Sequence, residues 1–306
     1  MMDGSMYSIL AYYHIGTIEN PGEEVARHKE FFKTRDFRGR IYISEQGING
    51  QASGLTTDAS VYQEWLEERF GTISFKVSLS QEHVFEKMTV KYRKQLVALD
   101  REVDLSLRGE SLSAEQWKEM LERRGEETVV LDVRNDYEWK VGHFEGAELP
   151  QMETFREFPA YVQALKERNK SVVMMYCTGG IRCEFYSALL KEEGFEQVYQ
   201  LDGGVIGYGL QEGAAHWRGK LFVFDDRLVI PVGDSPALPI ASCHHCNEPH
   251  DVYYNCANMD CNDLFICCVP CLHDFQGCCC SSCQQGRLRP YQENPKPFRK
   301  KGKIPR

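Results

Sequence analysis

The sequence predicts an α+β N-terminal domain, a second domain built on a parallel α/β sheet, and a small cysteine-rich C-terminal module. Three observations carry this. Over residues 1–96 the apolar patterns run strand, helix, strand, strand, helix, strand, with the segment around Gln51 as the third strand. Over residues 111–212 strands and helices alternate, as they do in parallel sheets. Residues 243–283 then hold eleven of the thirteen cysteines. At 306 residues, 42% hydrophobic and 26% charged, the chain is long enough for each domain to bury its own core. No apolar run approaches the ~20 residues of a membrane helix. Met1 to Gly4 leads straight into a strand pattern, without basic and apolar leader regions. The expected location is the cytoplasm, where so many cysteines point to reduced thiols and metal binding, not disulfides.

In order, residues 6–13 read as a strand, 21–34 as a helix with Pro21 near its start, and 40–43 as a second strand. Gly47-Ile48-Asn49-Gly50 reads as a turn needing unusual dihedrals. Residues 59–70 read as a helix, and 75–79 and 88–92 as closing strands. This is the order of a ferredoxin-like sheet. In the last strand Met88, Val90 and Tyr92 share one face and should meet the core, while Lys87, Thr89, Lys91 and Arg93 share the other. That basic face is either a solvated sheet surface or a strip for phosphates. Residues 96–111 show no core pattern and read as a connector.

The second domain begins with a helix at 115–123, capped by Ser113. Residues 128–134 read as a buried strand, 135–139 as the start of a helical piece, and 142–147 as a loop. A helix at 155–168 leads to the apolar strand 171–175, and 197–201 is a further strand closed by Asp202-Gly203-Gly204. Residues 217–227 read as one strand, and the linker beyond carries Pro231, Pro236 and Pro239.

The chemistry concentrates in Tyr176-Cys177-Thr178-Gly179-Gly180-Ile181-Arg182-Cys183, between the strand at 171–175 and a helix at 185–193. A cysteine at a strand end, on a glycine-bearing turn that opens a helix, sits among inward-facing N–H groups and at the positive end of the helix dipole. Both favour thiolate over thiol, and Arg182 adds a full positive charge. Such settings lower a cysteine pKa from about 8.5 into roughly the 3.5–7.5 range. The bland alternative is a buried structural cysteine. With four residues between Cys177 and Arg182, the segment resembles the active-site loop of the rhodanese superfamily, whose cysteine carries a persulfide. The related cysteine phosphatases use a loop one residue longer. The resemblance spans about residues 111–212 through Asp132-Val133-Arg134 with Glu138, Gly142-His143 with Gly146-Ala147, and Leu201-Asp202-Gly203-Gly204. It implies that Thr178, Gly179, Gly180 and Ile181 form the anion cradle, and that Asp132 and Arg134 hold the loop through a partly buried ion pair or backbone contacts. His143 is imaginable as a base but more often secures the turn in this family pattern.

Downstream, Cys243-x2-Cys246, Cys256-x4-Cys261, Cys268-x2-Cys271 and Cys280-x2-Cys283 form four pairs. Two pairs make a tetrahedral four-thiolate site, so four pairs suit two structural zinc ions. Cys267, Cys278, Cys279, His244, His245 and His273 compete as ligands, and an iron–sulfur cluster is the chemical rival. A module this poor in large apolar groups needs metal to fold. Net charge is −9, yet residues 287–306 hold eight Lys or Arg and one acid, so +7 sits in the tail and −16 elsewhere. With Tyr291 and Phe298 interleaved, the tail from Arg287 to Arg306 suits phosphate contact and base stacking, or is a flexible tail.

Taken together, the domain at 1–96 carrying Glu45-Gln46-Gly47-Ile48-Asn49-Gly50, the rhodanese-like domain at 111–212, the linker and strand at 213–242 and the cysteine-rich module at 243–306 resemble one family. It is the rhodanese-family tRNA uridine hydroxylases, which form 5-hydroxyuridine at the wobble position in an oxygen-dependent reaction. The resemblance implies catalysis at Cys177 with Arg182 and Cys183, molecular oxygen as co-substrate, and a tRNA anticodon loop as partner. Lys87, Lys91, Arg93 and the tail would be the RNA contacts. Cys183 either resolves an oxidised Cys177 or is a buried helix residue. Two rival readings use the same residues: a thiosulfate or persulfide sulfurtransferase, and an RNA-binding adaptor with an inert rhodanese core.

Overall fold

The structure, a computed structural model, describes residues 6–151, 157–168, 171–234 and 236–290. The N-terminal domain runs β1 (Tyr7–Ile15), α1 (Pro21–Phe32), β2 (Phe37–Ser44), β3 (Gly47–Leu55), α2 (Thr56–Phe70), β4 (Lys76–Ser80) and β5 (Met88–Tyr92). The sheet order is β4-β1-β3-β2-β5, antiparallel except for the parallel β2–β5 edge. The first four strands have the ferredoxin-like order, and β5 extends the sheet beyond β2. α1 starts where Asn20 accepts the Glu23 N–H at 3.2 Å and Pro21 presets the first turn. Val25, Phe32, Tyr62 and Leu66 of the two helices pack on Leu10, Ile41, Ile43 and Ile48, so the helices cover one sheet face. The other face carries no helix of this domain among the described residues; part of it meets the second half of the chain, as where Arg40 donates to the Phe224 carbonyl at 3.0 Å, and the rest is open.

Two readings of this domain change. Gly47-Ile48-Asn49-Gly50 is not a turn but the start of β3. Glu45 and Gln46 make the turn, and Ser44 pairs directly with Gly47 across it. Tyr92 does not meet the core. It is exposed and its hydroxyl donates to Glu45 at 3.1 Å, because β5 is an edge strand whose end overhangs the hairpin.

The second domain contains β6 (Glu110–Leu112), α3 (Ala114–Arg123), β7 (Thr128–Asp132), α4 (Asp136–Trp139), β8 (Gly142–Phe144), α5 (Phe158–Lys166), β9 (Val172–Tyr176), α6 (Ile181–Glu192), β10 (Gln197–Leu201) and α7 (Gly204–Glu212). Its sheet is β6-β10-β9-β7, all parallel. Alternation along the strands divides two cores. Val173 and Met175 face Phe158, Leu165 and Tyr186 on one side; Met174 and Tyr176 face Trp117 and Tyr208 on the other. Ser113 closes α3 with a reciprocal capping box to Gln116. The connector after β5 is no idle linker, since Val97 and Leu99 bury themselves in the first of those cores.

Residues 217–227 form two short strands, not one: β11 (Trp217–Gly219) pairs with β8, and β12 (Leu221–Phe222) pairs with β13 (Val229–Ile230). β8 is likewise a strand where a loop is expected. In the cysteine-rich module, β14 (Tyr253–Asn255) pairs with β15 (Leu264–Ile266), and α8 (Val269–Asp274) follows. The Tyr253 hydroxyl donates to the Tyr137 carbonyl at 2.6 Å and Lys220 pairs with Asp251 at 2.7 Å, fixing the module to the second domain. Among the described residues, no helix is long and apolar enough to cross a membrane.

Candidate active site and cysteine clusters

Cys177 lies where β9 ends, inside the turn 177–180 that opens α6. Its sulfur accepts the Gly180 N–H at 3.1 Å. Gly180 holds φ at +101°, a conformation that a side chain would strain. Gly204, at φ +61°, lets the neighbouring turn close on the loop, since a Cβ there would meet the Cys177 carbonyl oxygen at 2.5 Å. Val205 and Ile206 then donate to the carbonyls of Cys177 and Thr178 at 3.0 and 3.1 Å. Burial pushes the Cys177 thiol up. The adjoining Cys183 side chain, the Arg182 charge and the amides of Cys183 and Gly180 outweigh it, bringing the pKa down to about 5. Cys183 moves the opposite way, raised by burial and by the neighbouring Cys177. At neutral pH the pair is a thiolate beside a thiol.

Arg182 does not reach into the cradle as an open anion ligand. Both its terminal nitrogens grip Glu138, at 2.6 and 2.7 Å, and one also meets Thr178 Oγ1 at 3.1 Å. Thr178 Oγ1 donates in turn to Glu138 at 2.8 Å. The charge still favours the thiolate, but this network locks the loop. Asp132 and Arg134 pair at 2.6 Å, entirely out of solvent, with Tyr176 OH donating to the same Asp132 oxygen at 2.6 Å. His143 Nδ1 lies 3.1 Å from the Phe144 carbonyl oxygen.

The open face of the N-terminal sheet and the Cys177 loop are two walls of one cleft of about 1,240 Å³. Lys87, Thr89, Lys91 and Arg93 line it from β5 and its flanks, facing Thr178, Gly179, Ile181 and Arg182. Cys177 itself has no exposed surface and lies one layer behind. The space over Gly179 is clear, with no atom within 4 Å of where a Cβ would stand.

Sequence reasoning missed two contributors from outside the loop and left the role of a third, Glu138, general. Tyr13 of β1 donates to Glu184 of α6 at 2.8 Å and its hydroxyl stands 3.0 Å from the position of a Gly180 Cβ. Lys76 is buried, with its ammonium 4.9 Å from the centre of the Tyr13 ring. Burial lowers its pKa, opposed by the charges of Asp202, Cys177 and Glu184. Glu138, read as support, is the direct partner of Arg182. A lysine between apolar residues of a short strand, Lys76 between Phe75 and Val77, was the one available signal.

The cysteine module gathers two quartets. Cys243, Cys246, Cys268 and Cys271 form one; Cys256, Cys261, Cys279 and Cys283 form the other. Cys279 thus stands where spacing pointed to Cys280, whose sulfur lies 3.0 Å from Ser282 Oγ instead. Neighbouring sulfurs lie 3.7 to 3.8 Å apart. Four thiolates at about 2.3 Å from a tetrahedral ion stand about 3.8 Å from one another, so the spacing suits a metal ion. Cys268 N–H donates to Cys243 Sγ and Cys279 N–H to Cys256 Sγ, both at 3.4 Å, as in sites that stabilise thiolate ligands. Of the basic tail, Arg289 bonds the Cys256 carbonyl at 2.7 Å; residues 291–306 lie outside the described residues.

Fold and loop together define a rhodanese-fold protein whose central thiol is held as an anion. Residues 113–210 match the Rhodanese-like domain, 7–96 the UPF0176 acylphosphatase like domain, and 218–284 the Rhodanase C-terminal family. The chain is 55% identical over 303 residues to the tRNA uridine(34) hydroxylase of Protochlamydia amoebophila, covering 96% of this chain and 94% of that one. It is 55% identical to that of Chlamydia abortus (96% and 93% covered) and 54% to that of Chlamydia trachomatis serovar D (98% and 94%). The chain belongs to the tRNA uridine(34) hydroxylase family.

Proposed function

We propose that the protein hydroxylates uridine 34 of tRNA to 5-hydroxyuridine, with Cys177 as the working sulfur and molecular oxygen as co-substrate. The observation that carries this is the Cys177 thiolate set behind a cleft whose opposite wall is basic. Cys177 Sγ is buried beside the cleft-lining Thr178 and Gly179, and a persulfide there would extend the reactive sulfur by about 2 Å. That outer sulfur comes from a sulfane-sulfur donor whose thiol or sulfite leaves. Its addition to uracil C6 opens the C5–C6 π bond and makes C5 electron-rich, and after oxygen transfer loss of the C5 proton with cleavage of the C6–S bond restores the ring and frees the sulfur. Converting C5–H to C5–OH then takes one atom of O₂, the other leaving as water with two electrons and two protons from a thiol reductant. The loop amides hold anionic sulfur during this step. Arg182 acts through the Glu138–Thr178 network, and Cys183 supplies a neutral thiol beside the sulfur.

Lys87, Lys91 and Arg93, with the tail from Arg287 to Arg306, would contact the phosphates of the anticodon loop. Two zinc ions in the cysteine quartets would hold the C-terminal module folded. The test is complementation of a strain lacking the activity. Cys177→Ser is expected to abolish 5-hydroxyuridine in tRNA nucleosides read by mass spectrometry, and unchanged levels would sink the assignment. Thiosulfate–cyanide turnover without any tRNA product would favour sulfur transfer instead.

A further inference from the structure

Three residues of Gly47-Ile48-Asn49-Gly50 have structural reasons. Gly47 sits at φ +134°, and a Cβ there would lie 2.0 Å from the His14 carbonyl oxygen. Ile48 is fully buried in the N-terminal core. A Cβ on Gly50 would lie 2.3 Å from the Tyr12 ring. Asn49 has no such reason. Alternation turns its side chain to the open sheet face, it is half-buried, and it lines the cleft. Among the described residues nothing is hydrogen-bonded to its carboxamide.

Strand register gives that carboxamide its neighbours. Tyr13 of β1 and Tyr42 of β2 are its direct cross-strand partners, and Lys91 of β5 pairs beyond Tyr42. With strands about 4.8 Å apart, the row Tyr13, Asn49, Tyr42, Lys91 spans roughly 14 Å. Its inner end touches the catalytic loop, since the Tyr13 hydroxyl stands 3.0 Å from the position of a Gly180 Cβ. Its outer end is cationic, with Arg93 4.9 Å from the centre of the Tyr42 ring and Lys91 beside it. An aromatic face, a cation and an unpaired donor–acceptor group in one row match a nucleotide's base, phosphate and base edge.

We propose that Asn49 is a specificity-determining residue that binds the N3 edge of the target uracil. Its carboxamide oxygen accepts the base N3–H while its NH₂ donates to the adjacent base carbonyl. N3 and the C5–C6 bond lie on opposite sides of a pyrimidine ring. Gripping the first from the sheet therefore presents the second to the facing wall, where the Cys177 loop lies. This rests on the uridine-hydroxylase reading above and assigns that reaction its base contact.

The experiment uses the full-length protein and two anticodon stem-loops, one with uridine and one with 3-methyluridine at position 34. The methyl group removes the N3–H and leaves C5, C6 and the phosphates intact. Wild-type protein is expected to prefer the unmodified stem-loop in kcat/KM by roughly 10-fold to 100-fold, the range of a two-bond base contact. Asn49→Leu is expected to lower kcat/KM on uridine to near the 3-methyluridine level, so that the ratio falls within about threefold of one. The pH profile of Cys177 alkylation should hold. N49A serves in the same assay should the leucine disturb the hairpin. A wild-type ratio near one, or a ratio undiminished in both variants, overturns the proposal. Wild-type protein that hydroxylates neither stem-loop overturns the functional reading beneath it.

Discussion

Removing the Arg182 charge should raise the Cys177 pKa. Arg182→Met alone would strand Glu138 as an unpaired buried carboxylate, destabilising the fold by about 3–5 kcal/mol. The informative variant therefore pairs it with Glu138→Gln. A cation within about 4–6 Å shifts an acid by roughly 1–3 units. Losing the opposing carboxylate at the same time takes back part of this, leaving about 1–2 units. A thiol that titrates at about 5 in the native loop should then titrate at roughly 6–7. At pH 5.5 the thiolate fraction falls from about three quarters to about one tenth for a midpoint of 6.5. Iodoacetamide alkylation of the Cys177 peptide, followed by mass spectrometry from pH 4 to 9, reads this as a roughly eightfold slower rate at pH 5.5 that converges by pH 8.5. Access to the buried sulfur scales the whole curve without moving its midpoint. A native midpoint near 8.5, or one that stays put or falls in the double variant, would refute the electrostatic account of the loop.

The same depressed pKa makes stability depend on pH. Because the folded pKa of about 5 lies below the unfolded value near 8.5, the thiolate stabilises fully above about 8.5 and loses this as pH falls through about 5. The stability gap between the native protein and Cys177→Ser, from urea unfolding, should therefore widen between pH 5 and 8.5; a flat gap contradicts it. Cys279→Ser should lose one of two equivalents of bound zinc while Cys280→Ser keeps both, and the reverse by metal analysis would restore the pairing read from spacing. Changing Lys87, Lys91 and Arg93 together to Ala should reduce the salt dependence of stem-loop binding by roughly 0.7 per lost phosphate contact. An unchanged slope removes that strip from the interface. Gly204→Ala would drive a methyl group against the Cys177 and Thr178 carbonyls, at 2.5 and 2.7 Å, and hydroxylation should fall with little change in stem-loop affinity; native activity would show that the turn is not needed to hold the loop.

What could be read from the sequence, and what could not, divides by the range of the interaction involved. The Cys177 thiolate was legible because its cause is local: strand end, glycine turn and helix start are contiguous, and the Gly180 amide meets the sulfur three residues away. The quartets were legible in number for the same reason, since paired cysteines close their own turns. Among three adjacent cysteines, however, chain spacing could not distinguish Cys279 from Cys280, because only the folded backbone decides which sulfur faces Cys256 and Cys261. Asn49 was legible only as part of a motif, without a role, and the approach of Tyr13 and Lys76 to the loop was not legible. A sheet with helices on one face leaves the other to be claimed by whatever domain docks there, and Tyr13 meets Glu184 across 171 residues of chain. The same division governs the chemistry. A loop alone can make a sulfur anionic, but it holds no group that distinguishes a uracil from any other electrophile. That discrimination needs a second surface at a fixed distance, and on the proposal above the N-terminal sheet supplies it, since Tyr13 pairs in register with Asn49 and hydrogen-bonds Glu184 of α6. On that proposal, reactivity rests on eight consecutive residues with Glu138 behind them, whereas selectivity rests on the docking of two domains.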